Sequence, residues 1–219
     1  EPRGEVNDHK MATGMRPAEW LSHIGVLGPR VVAAHSAWLT MNEVRLMGEA
    51  GMSISSCPVS NMKLATGGVA PVPEFEKYGV NVSLGTDGNT TNNSLDMISE
   101  MKMLGLLQKS SRWDPTVTPA QDLLDIVTVN GAKAIGMQDS LGSLEAGKYA
   151  DVVVLDGKMA NLRPLLPENI VANLAYSLSQ ANVKTVMCQG DIVVRDRVCT
   201  TMDVAAVADE SEAVSYTHL

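Results

Sequence analysis

The sequence predicts an α/β fold: the C-terminal part of a (β/α)8 TIM-type barrel, followed by part of a small β-sandwich domain. Three observations predict it. Two β-branched runs, Val31-Val-Ala-Ala-His35 and Val80-Asn-Val-Ser-Leu-Gly-Thr-Asp87, each end on a metal-competent side chain. Barrel enzymes carry their chemistry at such strand ends and on the loops that follow. Helix and strand signals alternate from Met15 to about Gln108, the pattern of βαβ units and a parallel sheet. Three strands cannot close a barrel of about 250 residues, which needs roughly 150 more upstream. The chain also begins on Glu1 rather than Met, so the expectation is a portion of a longer enzyme, inactive alone.

Arg16 to Gly25 reads as a short helix with Pro17 in its first turn and glycine at its end. Val31 to Ala34 is then a buried strand. Thr40-Met-Asn-Glu43 forms a capping box with Leu39 and Val44 at the staple positions, opening a helix to about Ala50 that stops at Gly51. Met52 to Ser56 is the next strand, followed by a long loop through Gly67-Gly68. Pro73 to Tyr78 is a short helix ended by Gly79, Asn81 to Leu84 a third strand, and Leu95 to Lys109 a long helix. Thr118-Pro-Ala-Gln121 is a second capping box, opening a helix to about Ile135.

The character changes after about residue 140. Ser143 to Asp151 leads into the strand Val152 to Leu155, a helix spans about Glu168 to Leu178, and Val183 to Cys188 pairs with Ile192 to Arg195 across Gly190-Asp191. Residues 1–140 are therefore expected to hold the last three barrel strands and their helices. Residues 141–204 form the segment returning to the small β domain, and 205–219 a frayed, disordered tail. Ser215 to Leu219 continues no pattern and reads as a cloning or sequencing scar.

Among 219 residues, 45% are apolar and 19% charged, enough for a core and too few charges for a disordered chain. The formal charge of −8, with 17 scattered Lys and Arg, argues against a nucleic-acid surface. No apolar run approaches the roughly 20 residues of a membrane span. Cys57, Cys188 and Cys199 have no C-x-x-C spacing, which implies neither a disulfide framework nor a zinc ribbon. The expectation is a cytoplasmic protein acting on a small molecule, with no nucleic-acid or membrane partner.

Asp87 at a strand end is a hard oxygen ligand for a divalent ion and a proton acceptor, against the competing reading of Thr-Asp-Gly as a turn. His35 between Ala34 and Ser36 has room to bind metal or to orient a hydroxide, against the reading of a buried structural histidine. Taken together, two strands apart, they favour a site. Cys57, before Pro58, reads as a small buried hydrophobe ahead of a thiolate ligand. Asn61, Lys63, Asn92 and Asn93 stand in strand-end loops and suit substrate contact and loop capping equally. His23 reads as a half-exposed surface residue, His9 sits in a polar segment, His218 falls in the tail, and Met97, Met101 and Met103 read as core filler.

Val32-Ala-Ala-His35 with Leu39-Thr40, Cys57-Pro-Val-Ser-Asn-Met-Lys-Leu64, Gly68-Val-Ala-Pro-Val-Pro73, Leu84-Gly-Thr-Asp-Gly88 with Asn92-Asn-Ser-Leu-Asp-Met97, and Gly142 to Leu155 resemble the metal-dependent amidohydrolases. The nearest branch is the 5-methylthioadenosine/S-adenosylhomocysteine deaminases, and the resemblance runs from Glu1 to about Met202. It implies hydrolytic deamination of an adenosine thioether to the inosine analogue and ammonia by metal-activated water. The implied cofactor is Zn2+ or another divalent ion such as Fe2+ or Mn2+. Asp87 matches the metal-binding aspartate that takes the water proton, and His35 the histidine that contacts water and substrate. Glu1 matches the glutamate of a H-x-x-E motif, a proton shuttle that also touches substrate, although Pro2 stands where that motif carries Thr. Asn89-Thr90-Thr91 replaces the small residues common in this loop. The family's H-x-H pair and the histidine before Glu1 are not in these 219 residues. A homo-oligomer is compatible with the resemblance. The alternatives are a sibling amidohydrolase (a guanine or other aminopurine deaminase, or a triazine dehalogenase) and a non-catalytic fragment.

Overall fold

The computed structural model describes residues 2–217, with side chains as far as Val214. It begins with two helices, α1 (Arg3–Thr13) and α2 (Pro17–His23). Pro17 opens α2 and Gly25, at φ 73°, follows its end, as the Pro-first, Gly-last asymmetry of helices requires. Three β-then-helix units come next: β1 (Val32–Ala34) with α3 (Met41–Glu49), β2 (Ser53–Ser56) with α4 (Pro58–Lys63) and α5 (Val72–Lys77), and β3 (Asn81–Leu84) with α6 (Asn89–Asn92) and α7 (Met97–Arg112). The strands form one parallel sheet in the order β1-β2-β3, with Ala33 opposite Ile54 and Ile54 opposite Val82.

The pleat divides this sheet into two chemical faces. Ile54 and Val82, fully shielded, join Met47, Phe75, Leu104, Leu123 and Ile126 in the core beneath the helices. The alternate residues are polar: Asn81 Nδ2 donates to Ser53 Oγ at 3.1 Å and to the Asn130 carbonyl at 3.0 Å. One apolar and one hydrogen-bonded face is how a short parallel strand can be buried with few branched side chains. β1 differs from the buried strand expected. It is an outer strand with β2 as its partner, and Val32 is 43% exposed.

The Thr40 capping box forms as read. Thr40 Oγ1 accepts from Glu43 N at 3.3 Å and Glu43 Oε2 accepts from Thr40 N at 2.9 Å. Glu43 does more than cap. It is fully buried, accepts from Arg16 Nε at 2.5 Å and from Ala18 N at 3.3 Å, and so fastens α2 to α3. A buried carboxylate with this many donors is held, because losing any one leaves charge uncompensated.

Two expectations fail for identifiable reasons. The stretch after β2 is not a plain loop: Pro58 at the first helical position starts α4. The Thr118 box does not form. Thr118 adopts φ 46°, its buried hydroxyl has no partner, and Lys109 Nζ donates to the Val117 and Thr118 carbonyls instead. The helix expected to run to Ile135 breaks at Thr128 (φ −121°, ψ −92°) into α8 (Ala120–Val127) and α9 (Val129–Ala134).

After α9 the chain enters an antiparallel sheet. β4 (Val152–Leu155) precedes α10 (Ile170–Tyr176), and β5 (Val183–Cys188), β6 (Asp191–Arg195) and β7 (Val198–Cys199) complete the order β4-β5-β6-β7. Gln189 and Gly190, at φ 50° and 94°, make the β5–β6 turn, a left-handed pair suited to a two-residue hairpin. The segment expected to fray is helical, α11 (Val204–Thr217), and exposed through Val214. No helix among the described residues is long and apolar enough to cross a membrane.

Gly48 offers a test of the packing. Alanine normally favours a helix over glycine by about 1 kcal/mol. A Cβ at Gly48 would lie 2.0 Å from the Tyr78 carbonyl oxygen at the end of α5, and overpacking of that kind costs about 1–3 kcal/mol. Gly48→Ala is expected to lower the denaturant midpoint, and a raised midpoint would show that α3 and α5 do not meet here.

Candidate active site

The C-terminal ends of the three parallel strands carry the candidate side chains. His35 follows β1 directly, Cys57 follows β2 directly, and Asp87 lies three residues past β3. His35 and Asp87 both adopt the left-handed backbone region, at φ 60° and 63°. This costs on the order of 1–2 kcal/mol per residue without glycine, and such residues concentrate where side chains must be aimed at a site. Gly85 lets the β3 loop pass close by, since a Cβ there would lie 2.7 Å from Ser55 Oγ.

His35 and Asp87 are brought together, with Nε2 4.0 Å from Oδ2. Asp87 opens to solvent while His35 is buried. The Ser60 hydroxyl donates to Asp87 Oδ2 at 2.6 Å and the Gly88 N–H to Oδ1 at 2.8 Å. These bonds, the Ser60 one foremost, with Thr91 and His35 nearby, hold the Asp87 carboxyl below the usual carboxylate range. It stays ionised at neutral pH, as a metal ligand or proton acceptor must.

The loop residues have structural partners that their composition did not reveal. The Asn61 side chain meets His35 Nδ1 at 2.8 Å through its oxygen. Lys63 Nζ donates to the Thr90 carbonyl at 3.0 Å and to Asn93 Oδ1. Asn92 Nδ2 donates to the Thr86 carbonyl at 2.7 Å and to Glu100 Oε1.

Glu100 was missed by sequence reasoning. It is 1% exposed on α7, and its Oε2 accepts from Val59 N at 3.4 Å, in the first turn of α4. Burial pushes its carboxyl above the ordinary range, against the Asn92 and Val59 bonds. Glu100 therefore ties α4 and α6, the two loop helices around the site, to one buried point. The signal available was a lone acid inside a helix otherwise read as apolar filler. Among the filler expected there, Met101 is buried while Met97 is 36% exposed.

Cys57 is 4% exposed, and burial together with the Asp87 charge pushes its thiol up to about 11. It is a packed thiol at neutral pH, since metal binding needs the thiolate. Glu1 and His218 lie outside the described residues. His9 and His23 stand away from this site against Trp20, His9 edge-on at 6.4 Å and His23 tilted at 5.8 Å.

A catalytic zinc takes three protein ligands. Among the described residues no three His, Cys, Asp or Glu side chains converge on one point. Asp87 has the charge and exposure for one vertex of such a site, and the described donors supply no more than a part of it.

The amidohydrolase family model matches residues 1–193. This chain belongs to the amidohydrolase family. It is 43% identical to the 5'-deoxyadenosine deaminase of Methanothermobacter thermautotrophicus over 98% of its own length and 49% of that protein. It is 42% identical to the 5-methylthioadenosine/S-adenosylhomocysteine deaminase of Moorella thermoacetica, covering 93% of this chain and 47% of the relative. The chain spans about half the length of the curated relatives it matches. A zinc-bound adenosine deaminase from Xanthomonas campestris superposes with a TM-score of 0.93 at 35% identity, over 97% of this amidohydrolase chain and 48% of that one. A zinc-bound atrazine chlorohydrolase from Arthrobacter aurescens, at 21% identity and a TM-score of 0.88, shares the fold.

Two outcomes follow from this geometry. At pH 8 a thiol near 11 holds its thiolate roughly 100-fold below an ordinary cysteine. Native Cys57 is therefore expected to resist alkylation while the exposed Cys188 reacts, with peptide mapping as the readout. Glu100→Ala would orphan the Asn92 and Val59 donors at about 1–3 kcal/mol each. Equilibrium unfolding checks it, and an unchanged midpoint would remove Glu100 from the account.

Proposed function

We propose that this amidohydrolase chain supplies the metal-binding aspartate and the water-orienting histidine of a hydrolytic deaminase. Its substrate would be an adenosine thioether or a close 5'-modified adenosine. The observation that carries the reading is the ionised Asp87 carboxylate 4.0 Å from His35 Nε2, the two standing beyond the ends of β3 and β1 on either side of β2. The deaminase names and the 42–43% identity of its relatives supply the substrate class. Residues 1–140 would be the C-terminal portion of a (β/α)8 barrel, and 141–204 the return to a small β-sandwich domain. The acting form would be the full-length protein, with the remaining metal donors from sequence beyond the described residues.

When bound, a divalent ion such as zinc supplies water acidic enough to ionise near pH 7. Asp87, held ionised by Ser60 and Gly88, would accept the proton of the attacking water. His35 orients the attacking oxygen towards C6 of the purine. A C6–O bond would form, Asp87 would return its proton to N6, and the C6–N6 bond would break, so that one water is consumed as ammonia leaves. Glu1, outside the described residues, is assigned the proton delivery to the ring nitrogen that lets the amine depart. A carboxyl does this work in zinc deaminases of other folds.

The sibling activities remain as competitors in the assay rather than as readings with their own support. The full-length protein with zinc would be given 5-methylthioadenosine, S-adenosylhomocysteine, 5'-deoxyadenosine, guanine and a chlorotriazine, with ammonia or chloride release followed. Adenosine thioethers and 5'-deoxyadenosine are expected to react and the others not. Asp87→Asn is expected to lower kcat by about 10²–10⁴, the range for losing a positioned proton acceptor, and to weaken zinc retention. Preferred turnover of guanine or the triazine would sink the substrate assignment.

A further inference from the structure

We infer that Asn61 is a positioning residue that holds the His35 imidazole in its Nδ1–H tautomer, leaving Nε2 as the acceptor nitrogen facing Asp87. The inference deepens the proposed function in its kinetic arm. Its spectroscopic arm stands on geometry alone.

An imidazole that carries its proton on Nδ1 presents Nε2 as an acceptor, and the partner of Nδ1 decides which form exists. Here that partner is the Asn61 side-chain oxygen at 2.8 Å, an atom that can accept and cannot donate. His35 and Asn61 are 7% and 6% exposed, so water competes poorly for either end of the bond. Burial raises the cost of the wrong tautomer, because Nδ1 without a proton would face an oxygen lone pair.

The placement of Asn61 is itself fixed. Its backbone N–H closes the first turn of α4 onto the Cys57 carbonyl at 3.0 Å, and its own carbonyl accepts from Thr66 N at 3.1 Å. Its chain neighbour Ser60 grips Asp87. Two consecutive residues of one short helix therefore set both functional groups. At 4.0 Å, Nε2 and Oδ2 are too far apart for a hydrogen bond to each other. One oxygen can stand about 2.8 Å from both. Such an oxygen donates to two acceptors when Nε2 is unprotonated, and meets a competing donor when it is not.

The test uses full-length protein labelled with 15N-histidine, the His35 signal being assigned with His35→Gln. A long-range 15N–1H correlation at pH 8.5 reads which ring nitrogen carries the proton. Wild type is expected to show Nδ1–H, and Asn61→Leu to move the proton wholly or partly to Nε2. Asn61→Asp retains an acceptor oxygen and is expected to keep the Nδ1–H form. In turnover, Asn61→Leu is expected to lower kcat about 10–100-fold, as loss of a partner behind a site histidine does. KM should stay within roughly threefold, with most of kcat retained in Asn61→Asp. An Nε2–H tautomer in wild type, or an unchanged tautomer in Asn61→Leu, overturns the inference whatever happens to kcat. If wild-type protein deaminates none of the nucleosides, the functional reading fails and the tautomer readout alone decides this one.

Discussion

The site depends on one short helix reaching in two directions. α4 follows the central strand β2, and its adjacent residues Ser60 and Asn61 bond Asp87 beyond β3 and His35 beyond β1. Side-chain bonds from α4 therefore tie the residues beyond β1 and β3 to the end of the central strand. They also offset the left-handed backbone at His35 and Asp87, which on sterics alone would relax. A six-residue helix is far too short to be stable by itself in water. Its position comes from Pro58 at its start, the Cys57 carbonyl, and the Glu100 carboxylate beneath the Val59 N–H.

Glu100 and Glu43 show what a buried acid does in this fold. Each is nearly or fully shielded and each costs desolvation; Glu43 gathers donors from α2, and Glu100 from α4 and α6. Replacing either by an apolar side chain of the same volume would remove the desolvation cost. It would also leave the donors on α2, α4 and α6 unanswered. The price of these carboxylates is justified by geometry rather than by net stability. Glu43 sets the angle of α2 against α3, and Glu100 sets the two helices that carry Ser60, Asn61 and Asn92.

Legibility followed the range of the interaction. Features written in consecutive residues were read correctly: the Thr40–Glu43 box, the glycines closing α2, α3 and α5, the strand Asn81–Leu84, and the hairpin around Gly190. Asp87 and His35 could be paired because each ends an apolar run, so a local signal marked a long-range meeting. Failures came where a distant side chain outvoted a local motif. At Thr118 the backbone is left-handed and the buried hydroxyl meets no first-turn N–H, so the cap is lost while Lys109 holds the Val117 and Thr118 carbonyls. Asn61, equally suited on composition to substrate contact and to loop capping, is committed to His35 across 26 residues of sequence. Glu100 left only a weak local trace, since a single acid in a helix usually means a solvated face.

The division of labour between the faces of the parallel sheet explains why chemistry and stability barely compete here. The core face buries Ile54 and Val82 under helices whose packing is apolar and closed. The polar alternation of Ser53, Ser55, Asn81 and Ser83 leaves the other face dressed with hydrogen-bonding groups. Asp87 can therefore remain solvated and ionised a few residues beyond a strand whose neighbours are fully buried. Had the strands been uniformly branched and apolar, as in a sheet covered equally on both sides, a carboxylate at that edge would have faced the desolvation that pushes Glu100 up. The same fold thus shifts two carboxyl groups in opposite directions. Their environments, set by alternate residues and one helix end, decide which can serve as a proton acceptor and which can serve as an anchor.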